Sequence, residues 1–305
     1  MTAIVEKPAA TSASEPSART AALRSWLRQP GFLAALPALT LLALGFFAPL
    51  LMVVGYSFMP PKTFDFAHLP TLANYADILN DSYYLSFLKS LGLALTTVVL
   101  LLLLCYPLAY GMAKMFGRWA NVLTLLLVIP LFVSENIRLY GWILFLIKGG
   151  VLLGTLKSWF GTDIGGLVYN VPAIVLGLVY VYLPFTLFPM VLGISMVRRE
   201  VTEAAADLGA SRWQVFREVE LPLAMPGILI GALLTFILSL GSLAESKIMG
   251  GQAVIMIADD IETAFTFGQN WPLGSALAVL LMLLAGSLVL ALLRRVDLDA
   301  ILGRR

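Results

Sequence analysis

Long apolar stretches alternate with short polar segments along most of the chain. An α-helix needs about 20 apolar residues to cross the hydrocarbon core of a bilayer. Stretches of that length predict transmembrane helices at 32–58, 90–113, 120–147, 172–196, 221–244 and 273–293. The pattern therefore predicts an all-α membrane protein with six transmembrane helices.

The two ends of the chain lack such stretches. Residues 1–17 are rich in Ala, Ser, Thr and Pro, which is typical of a disordered tail. In 18–30, Arg24 and Arg28 share a helical face opposite large apolar side chains. This predicts an amphipathic helix in the membrane interface, although the same arginines would also serve as anchors before the first span. The remaining predicted parts are a six-span domain at 31–296 and a cytoplasmic tail at 297–305.

Composition agrees with a membrane protein. The 305 residues are 60% hydrophobic and 12% charged, which is more apolar surface than one soluble core can hide. A net charge of +2 gives no basis for binding nucleic acid. Basic residues outside the spans number fourteen on one side of the membrane and five on the other, so the positive-inside rule places both termini in the cytoplasm.

The fourteen cytoplasmic residues are Lys7, Arg19, Arg24, Arg28, Lys114, Arg118, Arg198, Arg199, Arg212, Arg217, Arg294, Arg295, Arg304 and Arg305. The five outer ones are Lys62, Lys89, Lys148, Lys157 and Lys247.

A polar island at 199–220 separates the fourth and fifth predicted spans on the cytoplasmic side. Val201, Ala204, Ala205 and Leu208 fall at i, i+3, i+4 and i+7, which predicts a helix with one face of small apolar side chains. The charged residues of the island lie around the opposite side.

The island also contains signals for a corner and a second helix. Gly209 is a natural C-terminal stop, and Ser211 with Gln214 forms a capping-box pattern. We expect the second helix to end at Pro222, before the fifth span. Short helices of this kind seat in a groove of a partner protein or lie on the lipid surface, and the residues alone fit both arrangements.

The island resembles the EAA signature of the permease subunits of ABC importers. That signature is Glu-Ala-Ala, three residues, Gly, nine residues, Ile, one residue, Leu-Pro. The chain supplies Glu203-Ala204-Ala205, then Gly209, then Val219-Glu220-Leu221-Pro222, with Val219 in place of isoleucine and every spacing kept.

The resemblance implies the transmembrane domain of a type I ABC importer in a bacterial inner membrane. In that family the island is the coupling helix, which sits in a cleft of a separate ATPase subunit. The residues that would contact the ATPase are Glu203, Ala204, Ala205, Asp207, Leu208 and Gly209. The other implied partners are a second homologous permease, a second ATP-binding cassette subunit, an extracytoplasmic solute-binding protein and membrane lipid. ATP and Mg would belong to the ATPase, so we expect no cofactor, metal or catalytic residue on this chain.

Other stretches resemble the permeases of spermidine/putrescine importers and their relatives. These are 135–146, 221–241, the Gly250-Gly251 pair and 270–281. The resemblance favours a polyamine as the cargo. The wider group also carries opines, amino-acid derivatives, iron and thiamine, which remain alternatives.

Charged residues inside the membrane are the clearest marks of a solute path. Glu135 and Arg138 lie within the third predicted span, where an ionised side chain costs about 2.5–3.5 kcal/mol. At i and i+3 they either pair with each other or line the path. The residues predicted to line it are Glu135, Asn136, Arg138, Tyr140 and Trp142, with Glu245 at the outer end of the fifth span.

Two further features lie outside that set. Asp259, Asp260 and Glu262 form an acidic cluster that would suit a polyamine, a solvated face or a contact for the binding protein. Gly227 and Gly231 form a small-xxx-small pair, which predicts close helix packing.

Other function classes fit the sequence less well. A secondary transporter needs ion-coupling groups and often shows inverted repeats, and Glu135 with Arg138 is little machinery for coupling. A membrane enzyme needs a catalytic constellation, whereas the chain has one histidine, His68, and one cysteine, Cys105. No phosphate-binding loop occurs, since Thr155 follows Gly154 where such a loop requires lysine.

Overall fold

The computed structural model describes residues 30–161 and 165–295. The predicted tails at 1–17 and 297–305 lie outside these ranges, as does all but the last residue of the predicted interfacial helix at 18–30. Regular secondary structure within the described ranges is entirely helical. The all-α prediction is confirmed for this part of the chain.

The α-helices are α1 (Pro30–Leu42), α2 (Ala48–Ser57), α3 (Ala73–Asn80), α4 (Tyr83–Tyr110), α5 (Arg118–Val128), α6 (Glu135–Leu146), α7 (Val151–Phe160), α8 (Val171–Ser195), α9 (Arg199–Asp207), α10 (Arg212–Gln214), α11 (Leu221–Leu240), α12 (Ala244–Gly250), α13 (Ile257–Thr266) and α14 (Trp271–Arg295). Three π-helical turns, Ala43–Phe47, Gly111–Met115 and Val215–Glu220, and one 3₁₀ turn, Ile129–Phe132, connect or extend them.

The chain divides into two units, Met1–Val53 and Val54–Arg305. In the first, α1 carries Pro37 within the helix, and the Thr40 hydroxyl donates to the Leu36 and Pro37 carbonyls at 3.0 and 2.9 Å. The second unit holds the remaining helices and the candidate site.

Six helical segments in the described residues have the length and composition of a membrane span. They are Ala34–Ser57, Tyr83–Met115, Glu135–Phe160, Val171–Ser195, Arg212–Leu240 and Trp271–Ala291. The number of spans is as predicted. The third span and the starts of the second and fifth differ from the prediction.

The prediction of one continuous helix at 120–147 is wrong. α5 ends at Val128, the 3₁₀ turn follows, and Val133 has extended backbone before α6 begins. Pro130 opens the 3₁₀ turn and has no N–H to donate, so the α-helical hydrogen-bond pattern stops there. The segment long enough to span begins only at Glu135 and contains its own interruption between α6 and α7.

The prediction that the second coupling helix ends at Pro222 is also wrong. α10 continues through the π turn Val215–Glu220 into α11, which makes one segment from Arg212 to Leu240. In a regular α-helix the Pro222 ring would crowd the carbonyl of Glu218 and remove a hydrogen bond. The wider π turn directly before the proline accommodates both effects, so the helix continues.

α8 and α11 cross with their backbones in direct contact. A Cβ atom built on Gly227 would lie 2.7 Å from the Gly193 Cα and would also strike the Pro189 carbonyl oxygen. A Cβ on Gly231 would lie 2.7 Å from the Thr186 carbonyl oxygen. The glycine pair therefore permits the close packing that its spacing predicts, here between two helices of the same chain.

Polar and apolar contacts reinforce this crossing. The hydroxyls of Thr186 and Thr235, both fully buried, hydrogen-bond between α8 and α11. α4 packs against both helices and contributes Leu101, which is fully buried along with Leu178 and Leu187 of α8. The core of the second unit is thus a three-helix cluster of α4, α8 and α11.

Alanine at Gly227 should destabilise the protein, because the added methyl group has no space unless the two backbones separate. Overpacking of this kind costs about 1–3 kcal/mol. The melting temperature of the detergent-purified protein should fall for Gly227→Ala. Gly92→Ala is the matched control, because Gly92 lies in α4 with nothing within 4 Å of its built Cβ. Equal melting temperatures for the two variants would contradict the tight crossing.

Candidate functional site

The coupling segment, defined here as residues 199–214, forms an exposed corner between α8 and α11. None of the residues of α9 is buried, and Leu208, at its C-terminal cap, is 90% exposed. Other parts of the chain therefore leave the large apolar side chain of Leu208 uncovered at the end of this short polar helix. The corner is therefore accessible from outside the chain.

Gly209 makes the corner. Its φ of +88° lies in the left-handed region, which a residue with a Cβ adopts only at a cost. The Gly209 N–H donates to the Ala206 carbonyl at 2.9 Å, and the Ala210 N–H donates to the Ala205 carbonyl at 3.2 Å. This is the Schellman arrangement that closes a helix C-terminus, so the predicted glycine stop is confirmed.

The predicted capping box is confirmed as well. The Gln214 N–H donates to the Ser211 hydroxyl at 3.3 Å, and the Ser211 N–H donates to the Gln214 side chain at 2.8 Å. Trp213 and Phe216 then stack with ring centroids 5.3 Å apart. The direction of the chain as it leaves the corner is therefore fixed by local hydrogen bonds.

Glu203 and Arg199 form an ion pair of 2.7 Å on the surface of α9. Both side chains are more than half exposed, so the pair adds at most a few tenths of a kcal/mol in water. The six residues predicted to contact an ATPase, Glu203, Ala204, Ala205, Asp207, Leu208 and Gly209, all lie on this corner, and none of them is buried.

The second group of predicted site residues lies where α6 packs on α8. The Arg138 guanidinium lies 5.7 Å from the centroid of the Tyr180 ring, and the Trp142 ring lies 5.5 Å from the same ring. These residues, with Gly141 and Phe145, line an open recess of about 380 Å³. A cation over an aromatic face is stabilised by the ring quadrupole.

Arg138 does not pair with Glu135, its nearest acidic neighbour in the sequence. The ion pairs among the described residues do not include one between Glu135 and Arg138, and the Arg138 Nε is buried without a hydrogen-bond partner. The arrangement favours the path-lining interpretation over the local ion pair. Path lining itself stays a prediction.

Glu245 lies completely buried on α12, against α8. The Ser242 hydroxyl donates to one carboxylate oxygen, while Oε1 has no hydrogen-bond partner among the described residues. Burial raises the pKa of this carboxyl, the hydrogen bond from Ser242 opposes the shift, and nearby Glu135 adds to it. α12 also packs against α6, which begins at Glu135, although 110 positions separate Glu135 and Glu245 in the sequence.

The structure does not gather every predicted path residue. Asn136 and Tyr140 are exposed on α6. In contrast, Tyr180 and Tyr182 of α8 join the site without having been predicted. α8, which contains both tyrosines, is so uniformly apolar that its sequence pattern cannot show which of its sides packs against α6 and α12.

The acidic cluster has partners within the chain. The Asp259 carboxylate accepts from the Ser246 hydroxyl at 2.6 Å and from the Met256 N–H at 2.9 Å, so it caps α13. Glu262 forms an ion pair with Lys247. Within the described ranges, no group of three or more His, Cys, Asp or Glu side chains could hold a metal ion.

Residues 106–297 match the model of the binding-protein-dependent transport system inner membrane component family. The chain belongs to this family. It is a permease subunit of an ABC importer and lies in the inner membrane, and it is a transport component rather than a catalytic enzyme.

The curated relatives include the spermidine/putrescine transport system permease protein PotB. The Salmonella typhimurium protein (strain SL1344) is 35% identical over 82% of this chain and 88% of its own length. The Escherichia coli protein (strain K12) is 35% identical over 82% of this chain and 91% of its own length.

Among solved structures, a bacterial ABC transporter involved in the import of the acidic polysaccharide alginate matches with a TM-score of 0.67 at 18% sequence identity. The match covers 92% of this chain and 99% of that chain. It supports the predicted type I importer fold.

Glu245→Gln should change how stability depends on pH. The folded protein holds the Glu245 proton more tightly than the unfolded chain, whose carboxyl has the ordinary pKa of 4.5. The unfolding free energy of the wild type therefore falls as the pH rises above that value, whereas glutamine removes this dependence. As the pH rises above 4.5, the melting temperature of Glu245→Gln should therefore rise relative to that of the wild type.

Glu218→Gln is the control for this measurement, because Glu218 is exposed. Its melting temperature should follow that of the wild type across the pH range. A constant difference between Glu245→Gln and the wild type at every pH would show that ionisation of Glu245 does not matter.

Proposed function

We propose that the chain forms half of a translocation pathway for a small polar solute, with a polyamine such as spermidine or putrescine as the favoured cargo. The single observation that carries the importer mechanism is the exposed corner at Gly209, with its uncovered Leu208. The cargo proposal is supported by the 35% identity to the spermidine/putrescine permeases.

The corner is proposed to dock in a cleft of an ATPase subunit on the cytoplasmic side. Alanines on α9 let the helix approach a groove closely, and Leu208 provides an apolar anchor. Because a Schellman turn closes α9 and a capping box starts α10, the corner between them can be displaced as a rigid piece. ATP and Mg would bind to that partner and supply the energy.

The complete transporter would contain a second homologous permease, two ATP-binding cassette subunits and an extracytoplasmic solute-binding protein. A solved structure similar to this chain, at 18% identity, is of an alginate ABC transporter in complex with a periplasmic protein bound to an alginate pentasaccharide. Transport would follow alternating access, in which closure of the ATPase dimer moves the coupling helices and opens the path towards the loaded binding protein.

The proposed path is lined by Glu135, Arg138, Trp142 and Glu245, with Asn136 and Tyr140 on the exposed side of α6. Carboxylates and aromatic rings suit the ammonium groups of a polyamine. These residues are proposed to guide the solute rather than to react with it.

Arg138 favours a second candidate cargo. Its guanidinium lies at the recess without an ion-pair partner among the described residues, and Nε has no hydrogen bond. A guanidinium pairs well with a carboxylate. A solute that carries both an amine and a carboxylate, such as an opine or an amino-acid derivative, would use both kinds of charge in the site.

Competition experiments distinguish the two cargoes. Uptake of radiolabelled spermidine should require this chain and ATP, and unlabelled putrescine should compete, whereas an opine should not. Glu135→Gln should reduce uptake about tenfold if a carboxylate–ammonium contact of about 1.4 kcal/mol is lost. Asp81→Asn is the control, because Asp81 is exposed at the C-terminal cap of α3. Competition by the opine alone would favour the second cargo, and uptake that survives ATP depletion would contradict the importer mechanism.

Leu208→Asp tests the docking surface. An anchor residue at an interface contributes about 2 kcal/mol or more, so the ATPase recovered with the affinity-purified chain should fall at least about tenfold. Leu69→Asp is the matched control, because Leu69 is 87% exposed and lies in the loop between α2 and α3. Undiminished recovery of the ATPase with Leu208→Asp would contradict docking through this corner.

A further inference from the structure

Three residues of α4 and its π-helical extension contact the chain on both sides of the coupling segment. Tyr106, Tyr110 and Lys114 are spaced by four, so they form one stripe along this helix. We call Tyr106, Tyr110 and Lys114 the α4 stripe.

The stripe holds the residues that enter and leave the coupling segment. The Lys114 ammonium donates to the carbonyl of Val197, which lies just before α9. On the other side, the Tyr110 hydroxyl lies 3.5 Å from a carboxylate oxygen of Glu220, at the outer limit of a hydrogen bond. The Tyr106 ring packs edge-on against Phe216, with centroids 5.8 Å apart.

Each of the three contacts has one partner in a π-helical turn. The turn Gly111–Met115 contains Lys114, and the turn Val215–Glu220 contains both Phe216 and Glu220. Short π segments are uncommon and recur at functional sites, because they change the register of a helix without ending it. A change of register in either turn would therefore shift one partner of these contacts.

The crossing of α8 and α11 lies close by and is rigid. Val197 is one helical turn beyond Gly193, or about 6 Å at 1.5 Å per residue, and Glu220 is two turns before Gly227, or about 10 Å. The backbones at the glycines are in contact and cannot approach further. A displacement of the coupling helix must therefore turn about this crossing and either move α4 or break the contacts of the stripe.

We propose that the α4 stripe is a transmission joint, which passes the displacement of the coupling helix into α4 and thereby links ATP hydrolysis to solute movement. The proposal rests on the proposed function, in which α9 docks on an ATPase. Tyr106, Tyr110 and Lys114 are positioning residues, because they act through the coupling segment and touch neither ATP nor solute.

The test uses the whole transporter, purified with its partners and reconstituted in proteoliposomes. Radiolabelled spermidine uptake and ATP hydrolysis are measured in the same vesicles, with and without the binding protein. Lys114→Met and Tyr110→Phe should leave the ATPase bound and hydrolysing. The spermidine transported per ATP should fall about fivefold or more, which is the lower range of measured coupling effects, and hydrolysis should depend less on the binding protein.

Two controls separate transmission from structure. Lys114→Arg should restore the ratio, because a guanidinium also donates to a carbonyl oxygen. Tyr84→Phe, at the far end of α4 and 43% exposed, should behave as the wild type. Tyr110→Phe removes a single oxygen atom. If the transporter with Lys114→Met does not assemble, the Tyr110→Phe transporter alone tests the transmission joint.

A proportional fall in uptake and hydrolysis, or no change in either, would overturn the transmission joint and leave the stripe as a structural contact. Failure of the underlying function is visible separately in the wild type. No co-purified ATPase would contradict the ABC mechanism, and hydrolysis that responds to the binding protein without spermidine uptake would contradict only the cargo. In that case the response to the binding protein still tests the joint.

Discussion

The backbone contact between α8 and α11 is the constraint on which the rest of the second unit depends. Within a bilayer, apolar side chains gain little by leaving lipid for protein, so helices associate through close packing and polar contacts. The close packing comes from three glycines, Gly193, Gly227 and Gly231. The polar contact is the hydrogen bond between Thr186 and Thr235. Since the coupling segment joins these same two helices, the crossing also fixes where its two ends lie.

Between that crossing and the coupling corner, the contacts that hold the chain change in kind. The glycines allow no closer approach, the π turn before Pro222 shifts the helical register, and the corner at Gly209 is held only by local hydrogen bonds. For a docking element of the proposed kind, this change from interhelical to local contacts is an advantage. Such an element must retain its own shape while it moves relative to the membrane helices. The local hydrogen bonds of α9 and of the capping box allow it to keep its shape and to move.

The sequence predicted the elements that depend on local patterning. Six apolar stretches, the glycine stop at Gly209 and the capping box at Ser211 follow from hydropathy and backbone chemistry that act within a few residues. The errors arose where one local rule opposed another. Pro130 breaks a continuous apolar stretch, whereas Pro222 does not end a helix because the π turn before it absorbs the clash.

The candidate path was less predictable, because it depends on contacts between distant parts of the chain. Glu135 and Arg138 were found from the cost of charge in a membrane, but their partners were not. The Arg138 guanidinium lies over the Tyr180 ring. α12, which carries Glu245, packs against α6, although 110 positions separate Glu135 and Glu245 in the sequence. An apolar span such as α8 has no polar face, so its pattern carries no information about its rotation relative to neighbours.

Weak contacts at the α4 stripe are physically suited to a transport cycle. Coupling between sites usually amounts to about 1–3 kcal/mol, and a typical hydrogen bond contributes about 0.5–1.5 kcal/mol. Two such bonds and one aromatic contact therefore contribute a free energy as large as a typical coupling free energy. Stronger contacts, such as the glycine crossing, would keep the transporter in one conformation. Contacts as weak as those of the α4 stripe can form and break in every transport cycle. The same chain thus needs a crossing that does not yield and, about 10 Å away, a joint that does.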